Sequence, residues 1–171
     1  MWGVACLPTH PSPHPPLPRA TGYSCDFKKC RGSSGCVCPS TRAPGGLALQ
    51  RTPQFVVITN DDAVNPAAYA AVLAITAGLK NRNGCPIPAT WFVTTADTKP
   101  ELVQALYMGG HEIATHTMTH PVNPSAGEII GARRWLADQT GIPASRIVGY
   151  RAPNLQHSPA QRRALKDGGF L

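Results

Sequence analysis

No apolar run in this chain approaches the roughly 20 residues that a helix needs to cross a bilayer, which excludes a transmembrane helix. No segment repeats at a solenoid period. Acidic side chains are scarce, nine Asp and Glu against sixteen Lys and Arg, and aromatic residues make up only 6%. The resulting charge of +7 is unevenly placed. Arg19, Lys28, Lys29, Arg31, Arg42 and Arg51 precede Gln54 with only Asp26 against them, whereas the remainder carries ten basic and eight acidic residues. A nucleic-acid reader needs a basic stripe on a folded face and aromatics that stack on bases, so no nucleic-acid partner is expected for so balanced a remainder. The start, Met1 to Pro8, lacks both the basic leader and the apolar length of a convincing signal peptide.

Proline and clustered cysteine are plentiful instead. Nine of the eighteen prolines fall in the first 53 residues. Residues 1–24 are expected to be disordered, because they hold too little apolar surface to offset the entropy of ordering. Cys25, Cys30, Cys36 and Cys38 crowd a Gly/Ser-rich stretch, with Cys6 and Cys85 set apart. Their gaps of four, five and one residue do not repeat the paired spacing of a zinc module. Disulfides and an oxidising, extracellular compartment are therefore the expectation, with the pairing left open. Residues 25–52 read as a cysteine-pinned irregular arm.

From Pro53 the pattern changes to regular alternation. Gln54 to Thr59 is a β-branched run, expected to form a buried parallel strand. A helix over 66–80, a strand over 89–94 and a helix over 99–108 follow, the last with Thr98 and Glu101 as a capping box. A third strand is predicted over 111–115. Ser125 and Glu128 make a second capping box, opening a helix over 125–139 that Gly141 closes. A fourth strand over 146–150, a helix over 158–168 and the start of a fifth strand at Phe170-Leu171 complete the series. Such alternation predicts an α/β fold with a parallel sheet. Four and a bit units make about half of a barrel, which takes roughly 200 residues or more. The alternatives are an open sheet or the front half of something larger, and the uncovered strand edges of the latter predict poor stability for the isolated chain.

Chemistry gathers at the strand ends. Asp61-Asp62 follows the first strand, His116-Thr117-Met118-Thr119-His120 the third and Arg151 the fourth. Right-handed crossovers bring these ends to one edge of the sheet. A buried strand has no solvated position to spare for two charges, so both aspartates are expected at its exit, partly desolvated. The H-x-x-x-H spacing puts two imidazoles on one face of a helical turn, suited to one divalent ion. One aspartate completes an open metal site while the other takes a proton from water. Arg151 is expected to hold a carboxylate bidentately. His111 packs or hydrogen-bonds within its strand, and His111-Glu112-Ile113-Ala114-Thr115 lacks the second histidine of H-E-x-x-H.

Thr59-Asn60-Asp61-Asp62, the 116–120 segment and Arg151-Ala152-Pro153-Asn154 stand in the order and approximate spacing of the first three motifs of NodB-type polysaccharide deacetylases. The chain resembles the chitin deacetylase-like branch over about 25–171, with the cysteine-rich lead-in ending Gly45-Gly46-Leu47, Asn83-Gly84-Cys85-Pro86 and Gly110-His111-Glu112-Ile113 also fitting. The resemblance implies a distorted (β/α) barrel, here its amino-terminal part over 53–171, behind the Pro/Cys-rich arm. It implies a secreted hydrolase removing N-acetyl groups from chitin-like polysaccharides with zinc or another divalent cation. By motif position Asp61 is the general base, and Asp62, His116 and His120 are the metal ligands. Arg151 orients Asp61, and the backbone N–H of Asn154 helps hold the oxyanion. Asn60 stands where the family has Phe, and Asn154 where it has an aromatic residue. The family's later Asp/Trp motif and final Leu-x-His would fall beyond Leu171, so the chain is expected to be a fragment. Two other readings remain open: a catalytically dead metal- and glycan-binding wall protein, and, because two histidines and a carboxylate also suit iron(II), a non-haem oxygenase.

Overall fold

Three short parallel strands carry the architecture: β1 (Thr59–Asp62), β2 (Thr90–Val93) and β3 (Glu112–Thr115), side by side in chain order. The computed structural model describes residues 25, 26, 28–31, 33, 38, 43 and 46–171. The disorder expected over 1–24 lies outside them, as do Cys6 and Cys36. The chain divides after Gln54 into two compact units. In the first, Cys25 is joined to Cys38, and Cys30 is also disulfide-bonded. Their sulfurs cluster as oxidised cysteines, the disulfide option rather than the zinc one.

In the second unit, helix α1 (Pro66–Thr76) links β1 to β2, α2 (Pro100–Met108) links β2 to β3, and α3 (Ala126–Thr140) and α4 (Pro159–Asp167) follow. The register aligns Asp61 with Phe92 and Phe92 with Ala114. Trp91, Val93 and Ile113 therefore share the opposite face, where they pack with Val103, Leu106 and Leu136 from the helices. Helices α2, α3 and α4 pack in succession against one another. Sequential strand order with no reversal is the winding of a (β/α) barrel segment, not of a doubly wound sheet with a switch point. Side-chain caps fix the helix starts. Asn65 accepts from Ala68 N, Ser125 from Glu128 N and Ser158 from Gln161 N, and Gly141 closes α3 at φ 71°.

Several elements differ from expectation. The first strand begins at Thr59, not Gln54, and Phe55, Val56 and Val57 are exposed rather than buried. Pro86 and Pro88 precede β2 and offer no N–H to a ladder, so pairing stops at the Thr90 N–H to Ile58 carbonyl bond. Thr98 does not cap α2. Its hydroxyl accepts from Val64 N at 2.9 Å and donates to the Thr94 carbonyl at 2.6 Å, tying the β1 exit to the β2 exit. The fourth strand shrinks to one bridge between Thr115 and Tyr150, because a 3-10 turn (Ala144–Arg146) consumes its start. Instead of a fifth strand, Leu171 makes one bond to the Val148 carbonyl.

The bridge requires glycine at 149: a Cβ there would lie 2.9 Å from Ala114 Cβ. Gly149→Ala is expected to cost about 1–3 kcal/mol, and adding Ala114→Gly to recover part of it, measured as denaturant midpoints.

His111 sits beneath the sheet, edge-on to Trp91 at 6.4 Å, its Nδ1 accepting from the Ala89 N–H at 3.0 Å. Burial pushes its pKa below the ordinary 6.5. Protonation therefore favours the unfolded chain and also destroys the acceptor that Ala89 uses. The contribution is fully present above about pH 6.5 and is lost as pH falls from there through the lowered folded value. His111→Asn, which keeps an acceptor that does not titrate, is expected to flatten the thermal midpoint between pH 6.5 and 5 relative to the parent.

Candidate metal centre

Asp61 and Asp62 are the last residues of β1, and the strand pattern breaks between them. Asp62 has φ 75°, a left-handed conformation that Asp tolerates better than most residues. Its side chain is 67% exposed and that of Asp61 37%, so the expected desolvation is absent for Asp62.

The two histidines lie after β3 on an irregular bend, not on the helical turn that their spacing suggested. Thr117 (φ 72°) and His120 (φ 57°) are both left-handed. For a β-branched threonine that is strained, by about 1–3 kcal/mol. One bond is internal to the bend, Thr117 Oγ1 accepting from His120 N at 3.1 Å, and the β2 exit supplies two more, Thr95 N and Ala96 N donating to the Thr117 and Met118 carbonyls. The result stacks the two rings edge to face, with centroids 4.8 Å apart.

Asp62 Oδ1 lies 3.8 Å from His116 Nε2 and 3.6 Å from His120 Nε2. Tetrahedral ligands at zinc distances sit about 3.3–3.6 Å from one another, so the triad needs little contraction to hold such an ion. One further observation fits. His116 is buried, and its Nδ1 lies 2.8 Å from the Arg151 carbonyl. A carbonyl only accepts, so Nδ1 carries the proton and Nε2 presents a lone pair to the cluster. Two imidazole nitrogens and one carboxylate suit zinc or a related divalent ion with positions left open.

Arg151 serves the site twice. Its carbonyl orients His116, and its guanidinium Nη1 donates to Asp61 Oδ1 at 2.5 Å and to Thr59 Oγ1 at 3.1 Å. The grip on Asp61 is through one nitrogen, not bidentate, and the guanidinium carbon also sits over Phe92, 3.9 Å from the ring centroid. Asn154 is exposed, in a 3-10 turn (Pro153–Leu155), with left-handed backbone at φ 54°. Among the described residues no hydrogen bond joins its side chain to the cluster.

The structure thus brings Asp62, His116 and His120 together and joins Asp61 to Arg151. Sequence reasoning missed Phe92 and Thr59, which alternation would place on the face of Asp61, two residues apart or one strand over. It also missed the Thr95–Ala96 edge that supports the histidine bend.

Residues 48–170 match the sequence pattern described as polysaccharide deacetylase. This chain belongs to the polysaccharide deacetylase family. It is 39% identical to chitin deacetylase 8 of Bombyx mori over 153 residues, 83% of this chain and 39% of that protein. It is 35% identical to chitin deacetylase 1 of the same species over 145 residues, 77% of this chain and 27% of that one. The family member therefore spans less than half the length of these relatives. Its fold is similar to a family 4 carbohydrate esterase from Streptomyces lividans solved in complex with acetate, with a TM-score of 0.53 at 22% identity over 68% of this chain and 59% of the other. It is also similar to a peptidoglycan deacetylase from Bacillus subtilis, with a TM-score of 0.51 at 22% identity over 64% and 54%.

Proposed function

We propose that Asp62, His116 and His120 hold a divalent cation, zinc foremost, and that the domain hydrolyses N-acetyl groups on chitin-like polysaccharides. The observation that carries this reading is the convergence of that triad beside a second carboxylate held by an arginine. The names of the relatives, chitin deacetylases among them, supply the substrate class. When bound, the cation supplies Lewis acidity, polarising the acetyl carbonyl and lowering the pKa of water toward 7.

The remaining work belongs to the chain. Asp61, next to Asp62 yet not shared with the histidines, takes the proton of the attacking water. Arg151 holds that carboxylate in place, and the His116 Nδ1–H to Arg151 carbonyl bond keeps the imidazole in its ligating tautomer. The backbone N–H of Asn154 is the donor we assign to the developing oxyanion. The deacetylase domain covers 53–171, preceded by the disulfide arm over 25–52 and the Pro-rich stretch over 1–24. The Cys25–Cys38 disulfide supports an extracellular setting.

The test is acetate release from chitin oligosaccharides. Chelator treatment is expected to abolish it, and zinc to restore it. Cation and glycan binding with no acetate release would favour a dead, glycan-binding member instead. Arg151→Lys is expected to leave cation affinity unchanged, since the carbonyl on His116 remains, while lowering kcat by roughly 10–100-fold through loss of the positioned charge-assisted bond to Asp61.

A further inference from the structure

The histidine bend has an acceptor problem that one residue solves. Its carbonyls face the β2 exit, where Thr95 N, Ala96 N and Thr95 Oγ1 donate to Thr117 and Met118. Two of its N–H groups, those of Met118 and Thr119, point the other way, toward α3. There Glu128 Oε2 accepts from both Met118 N at 2.9 Å and Thr119 N at 3.0 Å, and Oε1 accepts from Thr119 Oγ1 at 3.1 Å. Glu128 does not complete the capping box that its spacing suggests: Ser125 caps the helix, and the Glu128 carboxylate is spent on the bend. A second contact docks the same face. Met118 Sδ lies where a Cβ on Gly131, one turn along α3, would be 2.6 Å away.

We infer that Glu128 is a positioning residue for the metal centre, holding the 116–120 bend in the strained form that turns His116 and His120 toward one point. This rests on the reading of Asp62, His116 and His120 as cation ligands. The strain locates the effect. Thr117 at φ 72° and His120 at φ 57° relax toward ordinary backbone unless the N–H groups between them are held. Charge-assisted acceptance of two adjacent N–H groups by one carboxylate oxygen does that from outside the bend. Without it, His120 loses its bearing on His116 and Asp62, while His116 keeps its own tie to the Arg151 carbonyl.

The experiment measures Co²⁺ and Zn²⁺ binding to the full 171-residue chain by calorimetry, with the Co²⁺ ligand-field absorption as a second readout. Glu128→Ala is expected to weaken binding roughly 10–100-fold and to alter the Co²⁺ spectrum, the usual scale for losing a group that orients a ligand. Glu128→Gln, whose amide oxygen serves both N–H groups, is expected to stay within about 3-fold of the parent. Ser125→Ala, which removes the cap of the same helix without touching the bend, is expected to lower thermal stability and leave affinity unchanged. Equal affinity in folded Glu128→Ala and parent overturns the inference alone. So does an equal loss in Ser125→Ala, which would make helix stability the cause. A parent chain that binds neither ion overturns the metal reading itself, and this inference with it.

Discussion

The Asp61→Asn variant is expected to bind its cation as the parent does and to lose about 10²–10⁴-fold in acetate release, the range supplied by a positioned general base. His116→Ala is expected to lose the cation and the activity together. The difference follows from geometry. Asp61 is engaged by Arg151 Nη1, whereas His116 Nε2 points at Asp62 and has its tautomer set from behind by a carbonyl. Asn at 61 is nearly the same shape and still accepts from Arg151, but an amide cannot take a proton from water. His116 is buried, so deleting its ring also leaves the Arg151 carbonyl without its donor. Calorimetric cation binding and acetate assays on both variants decide the matter. Equal metal loss in the two would end the proposed division of labour.

Trp91→Ala is expected to cost about 3–5 kcal/mol, a large share of the stability of a domain this size. Trp91 is fully buried on the middle strand, registered between Asn60 and Ile113 and packed on the helix side. Removing it leaves a cavity beneath the sheet that positions every residue of the site. Its indole N–H has no acceptor among the described residues. Trp91→Phe deletes that buried, unpartnered donor, so it is expected to cost well under half as much. Denaturant unfolding of the two variants checks this, and a loss below about 1 kcal/mol for Trp91→Ala would contradict the packing argument.

The helices and the middle of the sheet were legible because caps and periodicity act locally. Ser125, Ser158 and Gly141 do what their residue types favour, and Trp91-Phe92-Val93 is a short aromatic and β-branched run that forms the strand its residue types favour. Gln54 to Ile58 misled because β-branched residues announce a strand only if a neighbour has N–H groups to offer, and two prolines remove them. Thr98 and Glu128 misled for a related reason: their spacing fits a helix start, yet their side chains are taken up by tertiary contacts, Thr98 with Val64 and Glu128 with the histidine bend. At the site, residue types at the strand ends pointed to Asp61, Asp62, His116 and His120 as one group, and the family resemblance, not the spacing, set Asp62 apart as the expected ligand. The left-handed turns that aim them, and the ring beneath Arg151, are tertiary facts with no local signature.

All of this chemistry lies at the carboxyl ends of the strands, while the turn carrying exposed, unpaired Cys85 lies at the amino end of β2. A thiol-reactive dye or spin label attached there would sit at the opposite end of the sheet from the reacting groups. The protein thus offers its own attachment point for testing the proposed glycan binding by optical or magnetic resonance methods.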